Sequence, residues 1–306
     1  MKILVTGGCG FIGSHIVDAY VEQGHEVYVV DDLSTGSIAN LNPAAKVYEM
    51  DINADIESLF AETTYDLINH HAAQINVRTS VDDPIFDARV NILGTVNLLK
   101  AAVAHGVKRF IFASSGGAVY GEPEDYPISE SAPLNPSSPY GVSKVAAEAY
   151  IRMYGRLFGM DYIILRYSNV YGPRQIFKSE AGVISIFADC ILRDDTCKIF
   201  GDGKQTRDYV YVADVVQANL LALKSTSDTF NIGTGIETSV NDLIDIFSDL
   251  LGRDVTHSHI DPRQGEVLRN VLDVRRVFSQ IHWQPRVGIK DGIVKTFEYF
   301  KKVSRS

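Results

Sequence analysis

The feature that most constrains the fold is a glycine-rich turn close to the start of the chain. A short apolar run at residues 3–5 leads into the segment Thr6-Gly-Gly-Cys-Gly-Phe-Ile-Gly13. A helix with an apolar stripe follows, and a second apolar run, residues 27–30, ends at Asp31. The order of strand, glycines, helix, strand and terminal acid is typical of a dinucleotide-binding βαβ unit. A tight turn without a ligand would account for the glycines alone.

Each part of this pattern has a physical role. Glycines at 7, 10 and 13 let the backbone turn tightly and let a pyrophosphate approach the amides at a helix N-terminus. A carboxylate at position 31 accepts hydrogen bonds from an adenosine ribose. No arginine or lysine occurs between Asp31 and Lys46, although a ribose 2′-phosphate would need one nearby. The sequence therefore predicts NAD rather than NADP as the cofactor.

The alternation of strands and helices continues along the chain. Further β-type runs occur at residues 47–50, 67–69, 109–113 and 162–167. The longest helical pattern between them covers residues 84–104. Six strands that alternate with helices predict an α/β fold with a doubly wound parallel sheet, the Rossmann arrangement. Beyond it we expect helices and short strands at residues 182–192, 198–200, 213–223, 230–232, 240–251 and 289–299.

This pattern predicts two domains. Residues 1–170 are expected to form the NAD-binding Rossmann domain. Residues 171–306 are expected to form a smaller C-terminal α/β domain for the substrate, with segments near 208–235 returning to the Rossmann sheet.

Composition restricts the possible partners. The net charge is −9 and the pI is about 5.4, which argues against binding nucleic acid or an anionic membrane through bulk charge. No apolar run reaches membrane-spanning length, and no signal peptide precedes the first strand. The three cysteines, Cys9, Cys190 and Cys197, show no metal spacing and no disulfide framework. We therefore expect a cytoplasmic protein.

Tyr140 and Lys144 form a candidate proton-handling pair. Their spacing of four places both side chains on one face of a helix. A free phenol titrates near ~10, and a neighbouring ammonium in a partly dry cleft favours the phenolate. Ser114 or Ser115, at the end of the fifth strand, could orient the substrate oxygen that loses its proton. The alternative is an exposed tyrosine and lysine on an ordinary helix.

Polar residues at other strand ends and within the predicted helix need interpretation. Asp51 faces the adenine, caps the next short helix, or does both. His70 and His71 are neighbours in an extended segment, so their side chains point to opposite faces and do not easily chelate one ion. We predict packed or hydrogen-bonded histidines and no metal. Asn91 either makes a hydrogen bond among the helices or secures the strand-end loops near the cofactor.

Taken together, the motifs resemble the extended short-chain dehydrogenase/reductases of the nucleotide-sugar epimerase/dehydratase group. The resemblance covers essentially the whole chain. It is carried by Thr6-Gly-Gly-x-Gly-Phe-Ile-Gly13, Asp31-Asp-Leu-Ser-Thr-Gly36, His71-Ala-Ala73, Asn91-Ile-Leu-Gly-Thr95, Tyr140-x-x-x-Lys144, Arg166-Tyr-x-Asn-Val-Tyr-Gly172 and Arg207-Asp-Tyr209.

The resemblance implies a role for each matching position. In that family tightly held NAD+ takes a hydride from the sugar and later returns it. Tyr140 would be the base toward the sugar hydroxyl, Lys144 would lower the Tyr140 pKa and bond the nicotinamide ribose, and Ser115 would bond the reacting oxygen. Besides Tyr140 and Lys144, the expected NAD-binding positions are Gly7, Gly10, Phe11, Ile12, Gly13, Asp31, Asp32, Ser34, Gly36, Asp51, Ile52, Ala72, Ala73, Gln74, Asn91 and Val170.

A UDP-sugar is the implied substrate, and its expected contacts beside Ser115 are Asn169, Phe200, Arg207 and Arg263. A guanidinium suits the diphosphate oxygens, although Arg207 and Arg263 could instead pair with Asp208 or Glu266. Phe200 could pack against the uracil or belong to the core, and Asn169 could be a turn asparagine. The family also implies a homodimer through the helices near 90–104 and 140–156.

The residues before Val119 select among the reactions of the group. Dehydratases and decarboxylases place acidic residues where Gly117 and Ala118 stand here. Without a carboxyl group, water elimination lacks its proton handlers, so we expect 4-epimerisation of a UDP-hexose. Arg269-Asn270 carries no bulky aromatic residue, which favours acceptance of N-acetyl hexoses beside glucose and galactose. The alternatives are another nucleotide-sugar enzyme of the group or a non-catalytic NAD-binding regulatory protein on this fold.

Overall fold

The computed structural model describes residues 1–61, 63–176, 182–262 and 267–304. In these residues the strands are β1 Lys2–Thr6, β2 Glu26–Asp31, β3 Lys46–Glu49, β4 Leu67–His70, β5 Arg109–Ser115, β6 Asp161–Tyr167, β7 Asn169–Tyr171, β8 Cys197–Phe200, β9 Thr206–Tyr211, β10 Asp228–Ile232, β11 Glu237–Ser239 and β12 His257–Ile260. The α-helices are α1 Phe11–Glu22, α2 Glu57–Ala61, α3 Val77–Asp82, α4 Pro84–Ala88, α5 Gly94–Ala104, α6 Pro139–Phe158, α7 Val183–Leu192, α8 Val212–Ala222, α9 Val240–Leu251, α10 Arg275–Ile281 and α11 Ile289–Val303.

The main sheet has seven parallel strands in the order β10-β6-β5-β4-β1-β2-β3. Its inner strands are buried on both faces, which explains why they read as continuous apolar runs. The doubly wound prediction is therefore confirmed. The sequence interpretation counted six strands, and the seventh is β10, which pairs with β6 so that Ile232 lies opposite Tyr167.

Helices cover both faces of this sheet. On one face α1 and α8 pack through Ile16, Val17 and Val215, and on the other α5 and α6 pack through Leu98 and Ile151. Strand order reverses between β1 and β4, so the carboxyl ends of β1, β2 and β4 meet at the edge of the sheet where doubly wound folds form their ligand crevice. In doubly wound sheets this switch point is where a ligand binds.

The segment near 208–235 divides between two sheets. β10 joins the main sheet and α8 packs against α1. β9 instead forms a three-stranded sheet with β7 and β11. This small sheet packs with α7, α9 and α11 around a third apolar cluster that includes Phe187, Phe247 and Phe297. The domain boundary near residue 170 stays a prediction.

The helix predicted over residues 84–104 is not a uniform α-helix. α4 and α5 are separated by a π-helical turn, Arg89–Leu93. The buried side chain of Asn91 leaves this turn toward Gln74, and Thr95 donates its hydroxyl to the Asn91 carbonyl at 2.7 Å. Such insertions are frequent at functional sites, and hydrophobic periodicity does not reveal them.

The proline-rich segment between β5 and α6 is an ordered loop. Its Ile128 amide donates to the Val271 carbonyl at 2.8 Å, and the Asp273 amide donates to the Ile128 carbonyl at 2.8 Å. Ile128 is buried with Val119, Tyr120 and Leu272 in a small apolar cluster. The loop is thus attached to the C-terminal region by these hydrogen bonds.

Candidate active site

The start of α6 places Tyr140. Ser138 caps the helix by accepting a hydrogen bond from the Gly141 amide at 3.2 Å, and Pro139 occupies the first turn. Gly141 lies so close to the β5–α6 loop that an added Cβ would stand 2.6 Å from the Ala118 carbonyl oxygen. This close approach holds the first turn of α6 against the loop that follows Ser115.

The two serines at the end of β5 have different partners. Ser115 lies beside the Tyr140 phenol, where its side chain lowers the Tyr140 pKa. Ser114 is buried and donates its hydroxyl to Glu148 Oε1 at 2.6 Å. Alternation along the strand sends them to different neighbours. Of the two serines that the sequence left open, Ser115 is therefore the one beside the phenol.

Lys144 is buried under Tyr140, with only 4% of its surface exposed. Its Nζ donates to the Ala113 carbonyl at 3.0 Å and lies 5.7 Å from the centre of the Tyr140 ring. Burial lowers the pKa of Lys144 to about 8, while the negative charges of Asp87 and Glu148 raise it. The ammonium form therefore exists at neutral pH and can still lose its proton under mildly basic conditions.

The shift at Tyr140 differs from the sequence expectation. Burial raises the pKa of Tyr140 to about 12; the Ser115 side chain lowers it, and the charge of Asp87 raises it. Burial outweighs the Ser115 contact, so the net shift of this pKa is upward, and a lowering of it by Lys144 stays a prediction. Further positive charge close to the phenol would favour loss of its proton.

The glycine-rich turn has the shape that a dinucleotide needs. Gly7 has a φ of +68° and lies against the loop after β4, where a Cβ would stand 2.6 Å from the Ala72 amide nitrogen. A Cβ at Gly13 would stand 2.2 Å from the Gly7 carbonyl oxygen. Within the described residues no side chain caps α1, whose first amides, from Phe11 to Gly13, face the turn. These features fit a bound pyrophosphate.

Asp31 ends β2 beside this turn. Its carboxylate accepts from the amides of Cys9 and Leu33, both at 2.9 Å, and burial raises its pKa. A Cβ at Gly36 would come within 2.9 Å of Asp31 Oδ1, so the following loop folds tightly over the carboxylate. Ser34 donates its amide and hydroxyl to Asp32, which is exposed. This acidic loop suits the ribose hydroxyls of NAD. It contains no lysine or arginine that could bind the 2′-phosphate of NADP.

The Asp51 side chain stabilises the turn that follows it and does not cap α2. Its Oδ1 accepts from the Asn53 amide at 2.8 Å, whereas Asp55 accepts from Glu57 at the start of α2. The capping alternative is therefore wrong. Ile52 is buried below the site, where Gly94 makes room for it; a Cβ at Gly94 would stand 2.7 Å from Ile52 Cδ1.

The histidines at the end of β4 are hydrogen-bonded within the protein. Thr95 donates its hydroxyl to the Asn91 carbonyl, so its oxygen is free to accept from His70 Nε2 at 2.9 Å. With Nε2 protonated, His70 Nδ1 accepts from Thr6 Oγ1 at 2.6 Å. His71 Nε2 lies 3.1 Å from the Tyr167 hydroxyl. Burial, followed by the charge of Lys144, lowers the pKa of His71 to about 3, and burial lowers that of His70 well below its usual range. Among the described residues no group of three or more His, Cys, Asp or Glu side chains could hold a metal ion.

Asn91 secures the loop after β4. Its Oδ1 accepts from the Gln74 amide and its Nδ2 donates to the Gln74 carbonyl, each at 2.9 Å. Thr6 Oγ1 holds the same loop from the other side by accepting from the amides of His71 and Ala72. Ala73 lies in this loop. Asn91 therefore anchors the loop that follows β4, which is the second of the two interpretations of this residue.

Two of the expected substrate contacts, Asn169 and Ser115, lie near each other. Asn169 Oδ1 and Ser115 Oγ both approach Gly117, where a Cβ would stand 3.9 and 3.8 Å from them. Val170 follows Asn169 on β7 and packs between two apolar clusters. Phe200 ends β8 and is half-buried. Arg263 lies outside the described residues.

Arg207 lies on β9, where its Nη1 donates to the Thr206 carbonyl at 2.8 Å. Its neighbour Asp208 is buried and accepts from the amides of Thr234, Gly235 and Leu272. The carboxylate of Asp208 is therefore committed to the loop after β10, which removes it as the alternative partner of Arg207.

Sequence reasoning missed two buried carboxylates that flank the site. Asp87, on α4, accepts hydrogen bonds from Gln74, Asn91 and Ser143. Glu148, on α6, forms a buried ion pair with Arg166. The available signal was weak: Asp87 precedes Asn91 by four residues, and Glu148 follows Lys144 by four.

Comparison with known proteins yields consistent matches. The sequence profile of the NAD dependent epimerase/dehydratase family matches residues 3–233. A UDP-glucose 4-epimerase of Mycolicibacterium smegmatis is 45% identical over 313 residues that cover 100% of both chains. The crystal structure of a UDP-glucose 4-epimerase from Thermotoga maritima with UDP-glucose superposes with a TM-score of 0.97 at 44% identity, over 99% of this chain and 100% of that one. The Thermus thermophilus UDP-glucose 4-epimerase in complex with NAD gives a TM-score of 0.94 at 40% identity, over 98% and 99%.

Proposed function

We propose that this chain, which belongs to the NAD dependent epimerase/dehydratase family, is a UDP-hexose 4-epimerase. The observation that carries the proposal is the arrangement of Ser115, Tyr140 and Lys144 at the edge of the sheet where the glycine-rich turn opens. No carboxyl group stands at Gly117 or Ala118 beside them. The chain is an isomerase that uses NAD, and the close resemblance to UDP-glucose 4-epimerases over its whole length supports this assignment.

The residues of this chain handle the proton. Tyr140 accepts the proton of the sugar 4-hydroxyl, and Ser115, which lies beside the phenol, orients that oxygen. Lys144 provides a fixed positive charge below the ring, since its ammonium is anchored on the Ala113 carbonyl. A bound NAD+ would supply reversible hydride transfer at C4, and its positive charge would favour the phenolate of Tyr140.

The cofactor-binding residues of the sequence interpretation remain proposals for this chain. Gly7, Gly10 and Gly13 would hold the pyrophosphate, and Asp31 would accept from the adenosine ribose. Asp51 and Ile52 would border the adenine. The loop of residues 72–74, which Asn91 and Thr6 fasten, would border the nicotinamide end.

The UDP-sugar would bind on the side formed by Asn169, Phe200 and Arg207, with Arg263 as a further proposed phosphate contact. Asn270 is buried at the same side and donates to the Gly116 carbonyl at 3.3 Å. Because an asparagine takes less room than an aromatic side chain, we propose that N-acetyl hexoses are accepted beside glucose and galactose.

The decisive experiment supplies purified protein with a panel of UDP-sugars without added NAD and follows the anomeric protons by NMR. We expect C4 epimers of unchanged mass. Products lighter by water or carbon dioxide would indicate a dehydratase or decarboxylase. No turnover of any sugar, with NAD added, would favour a regulatory protein.

Tyr140→Phe tests the assigned base directly. Removing the hydroxyl should lower kcat by roughly 10²- to 10⁴-fold, the usual contribution of a general base. Tyr154→Phe, on the same helix, provides a matched control and should keep near wild-type turnover. Near-normal kcat in Tyr140→Phe would overturn the assignment.

The dimer is also a proposal. Exposed apolar side chains occur on α4, the π-helical turn and α6, among them Ile85, Leu93, Val142 and Leu157, exposed by 51–72%. Of these, Leu93 and Val142 lie in the regions near 90–104 and 140–156 that the family resemblance implied, and Ile85 and Leu157 lie next to those regions. Sedimentation should give a dimer that Leu157→Glu weakens; a monomeric wild type would contradict it. A cytoplasmic location stays a prediction, and across the described ranges no helix is long and apolar enough to span a bilayer.

A further inference from the structure

We propose that Asp87 is a positioning residue that supplies a fixed negative charge to the Tyr140–Lys144 pair and thereby sets the pH range in which the enzyme works. The inference rests on the proposed function for its kinetic consequence. Its structural part concerns the protonation of Lys144 and can be measured without any reaction.

Asp87 is a buried carboxylate whose hydrogen-bond partners are all neutral. Its side chain is fully buried, and it accepts from Ser143 Oγ, from Gln74 Nε2 at 2.8 Å and from Asn91 Nδ2 at 3.0 Å. Three donors suit an ionised carboxylate, which can only accept. No ion pair within the described ranges involves Asp87, so its charge is not cancelled by an arginine or lysine in direct contact.

Its position links the cofactor side of the crevice to the catalytic helix. Gln74 belongs to the loop after β4, Asn91 to the π-helical turn, and Ser143 to α6, directly before Lys144. α4 and α6 pack against each other. A single carboxylate therefore fixes three segments around the phenol and the ammonium.

The charge of Asp87 acts on both members of the pair. It raises the pKa of Lys144, which the larger effect of burial lowers. It also raises the pKa of Tyr140, where it adds to the larger effect of burial. The other ionisable groups that face the pair are Glu148, on α6, and the two histidines at the end of β4, which burial keeps neutral. Loss of the Asp87 charge should consequently lower both pKa values together.

Asp87→Asn separates charge from shape. The new Oδ1 can still accept from Gln74 and Asn91, and the Ser143 hydroxyl can turn to accept from the new Nδ2. With NAD+ bound, we expect its positive charge to bring the pKa of Tyr140 below that of Lys144, so that in the profile of kcat/KM against pH Tyr140 controls the acid limb and Lys144 the alkaline limb. We expect both limbs to move to lower pH by about one unit, the size of shift caused by a nearby charge. A purely structural role would reduce the rate and leave the limbs in place.

A second readout does not depend on turnover. Lysines labelled with ¹³C at Cε can be titrated by NMR in the protein without substrate, and Lys144 is identified by the signal that disappears in Lys144→Met. In wild type this signal should titrate near pH 8, and in Asp87→Asn about one unit lower. Asp87→Ser removes the charge with a smaller side chain and provides the same titration if the asparagine variant does not fold.

Two controls complete the test. Asp87→Glu keeps the charge and should keep both limbs near wild type even if the rate falls. Asp245→Asn makes the same charge change on an exposed face of α9 and should leave the profile and the titration unchanged. Unmoved limbs together with an unmoved Lys144 signal in Asp87→Asn would overturn the proposal. If wild type epimerises no sugar but the Lys144 signal still shifts, the proposed function fails while the electrostatic role of Asp87 stands.

Discussion

Two buried carboxylates flank the Tyr140–Lys144 pair, and their surroundings differ. Glu148 lies on the β6 side, where Arg166 donates to both of its oxygens, at 2.9 and 2.7 Å, and Arg152 adds a third contact. Asp87 lies on the α4 side among neutral donors only. Burial raises the Glu148 pKa, yet the hydrogen bonds and charge of Arg166, with Ser114, bring it below its ordinary value. Glu148 is paired with an arginine, whereas Asp87 has no cation in direct contact among the described residues, although both charges raise the pKa of Lys144.

This difference assigns the first region mainly to stability and the second mainly to reactivity. A buried ion pair that loses one partner leaves an uncompensated charge, which is costly. A carboxylate held by neutral donors loses less when it becomes an amide, because the hydrogen bonds can be kept. Variants of Glu148, Arg166, Asp87 and the two serines at the end of β5 test this division.

Glu148→Gln should destabilise the fold by about 3–5 kcal/mol, because it leaves the Arg166 guanidinium, 2% exposed, without its counter-charge. Chemical denaturation measures this loss. The exposed pair of Arg193 with Asp189 serves as the control, since Arg193→Gln should change stability by less than about 1 kcal/mol. An equal decrease in the free energy of unfolding in the two variants would contradict the prediction that the buried ion pair contributes more than the surface pair.

The Glu148→Gln deficit should depend on pH with a definite sign. The folded-state pKa of Glu148 is depressed, so its stabilisation is fully present above the unfolded-state value of about 4.3 and is lost as pH falls through the folded value. The difference between wild type and variant should therefore be largest near neutral pH and shrink in acid. Denaturation curves at several pH values measure it, and a difference that grows in acid would contradict the ion pair.

The double variant Glu148→Gln with Arg166→Met should recover stability relative to Glu148→Gln, because neutral side chains can replace a buried ion pair at little cost. Both charges disappear together, so the limbs of the pH profile should stay within a few tenths of a unit of wild type. Asp87→Asn, in contrast, should move them by about one unit. If the double variant moved them as far, the proposed division would be wrong.

The sequence could supply the local parts of this site and not the two carboxylates. The glycine-rich turn, Asp31 and the four-residue spacing of Tyr140 and Lys144 are patterns within short segments. Ser143 and Asp87 lie 56 residues apart and Ser114 and Glu148 lie 34 apart. Their partners depend on how strands and helices pack, which no local pattern encodes.

The same limit explains the expectations that failed or stayed open. Hydrophobic periodicity predicts a helix over residues 84–104 but gives no sign that Asn91 interrupts it with a π-helical turn. Spacing predicts that Lys144 lies near Tyr140 but not how deeply the phenol is buried, and burial sets its pKa. The sequence could not tell which of Ser114 and Ser115 lies beside the phenol. The register of β5 with β6, which places Ser114 opposite Arg166, was needed to decide it.

The smallest effects separate these two serines. Ser114→Ala removes one hydrogen bond from Glu148, which keeps Arg166, so we expect a loss of about 1 kcal/mol in stability with kcat near wild type. Ser115→Ala should leave stability within about 0.5 kcal/mol and lower kcat roughly tenfold to a hundredfold, since a hydrogen bond to a charged group contributes about 1.5–3 kcal/mol. Denaturation and steady-state kinetics on both variants decide the matter. Loss of turnover in Ser114→Ala together with loss of stability in Ser115→Ala would contradict this assignment. Ser114 would then act on the substrate, and Ser115 would belong to the stabilising framework.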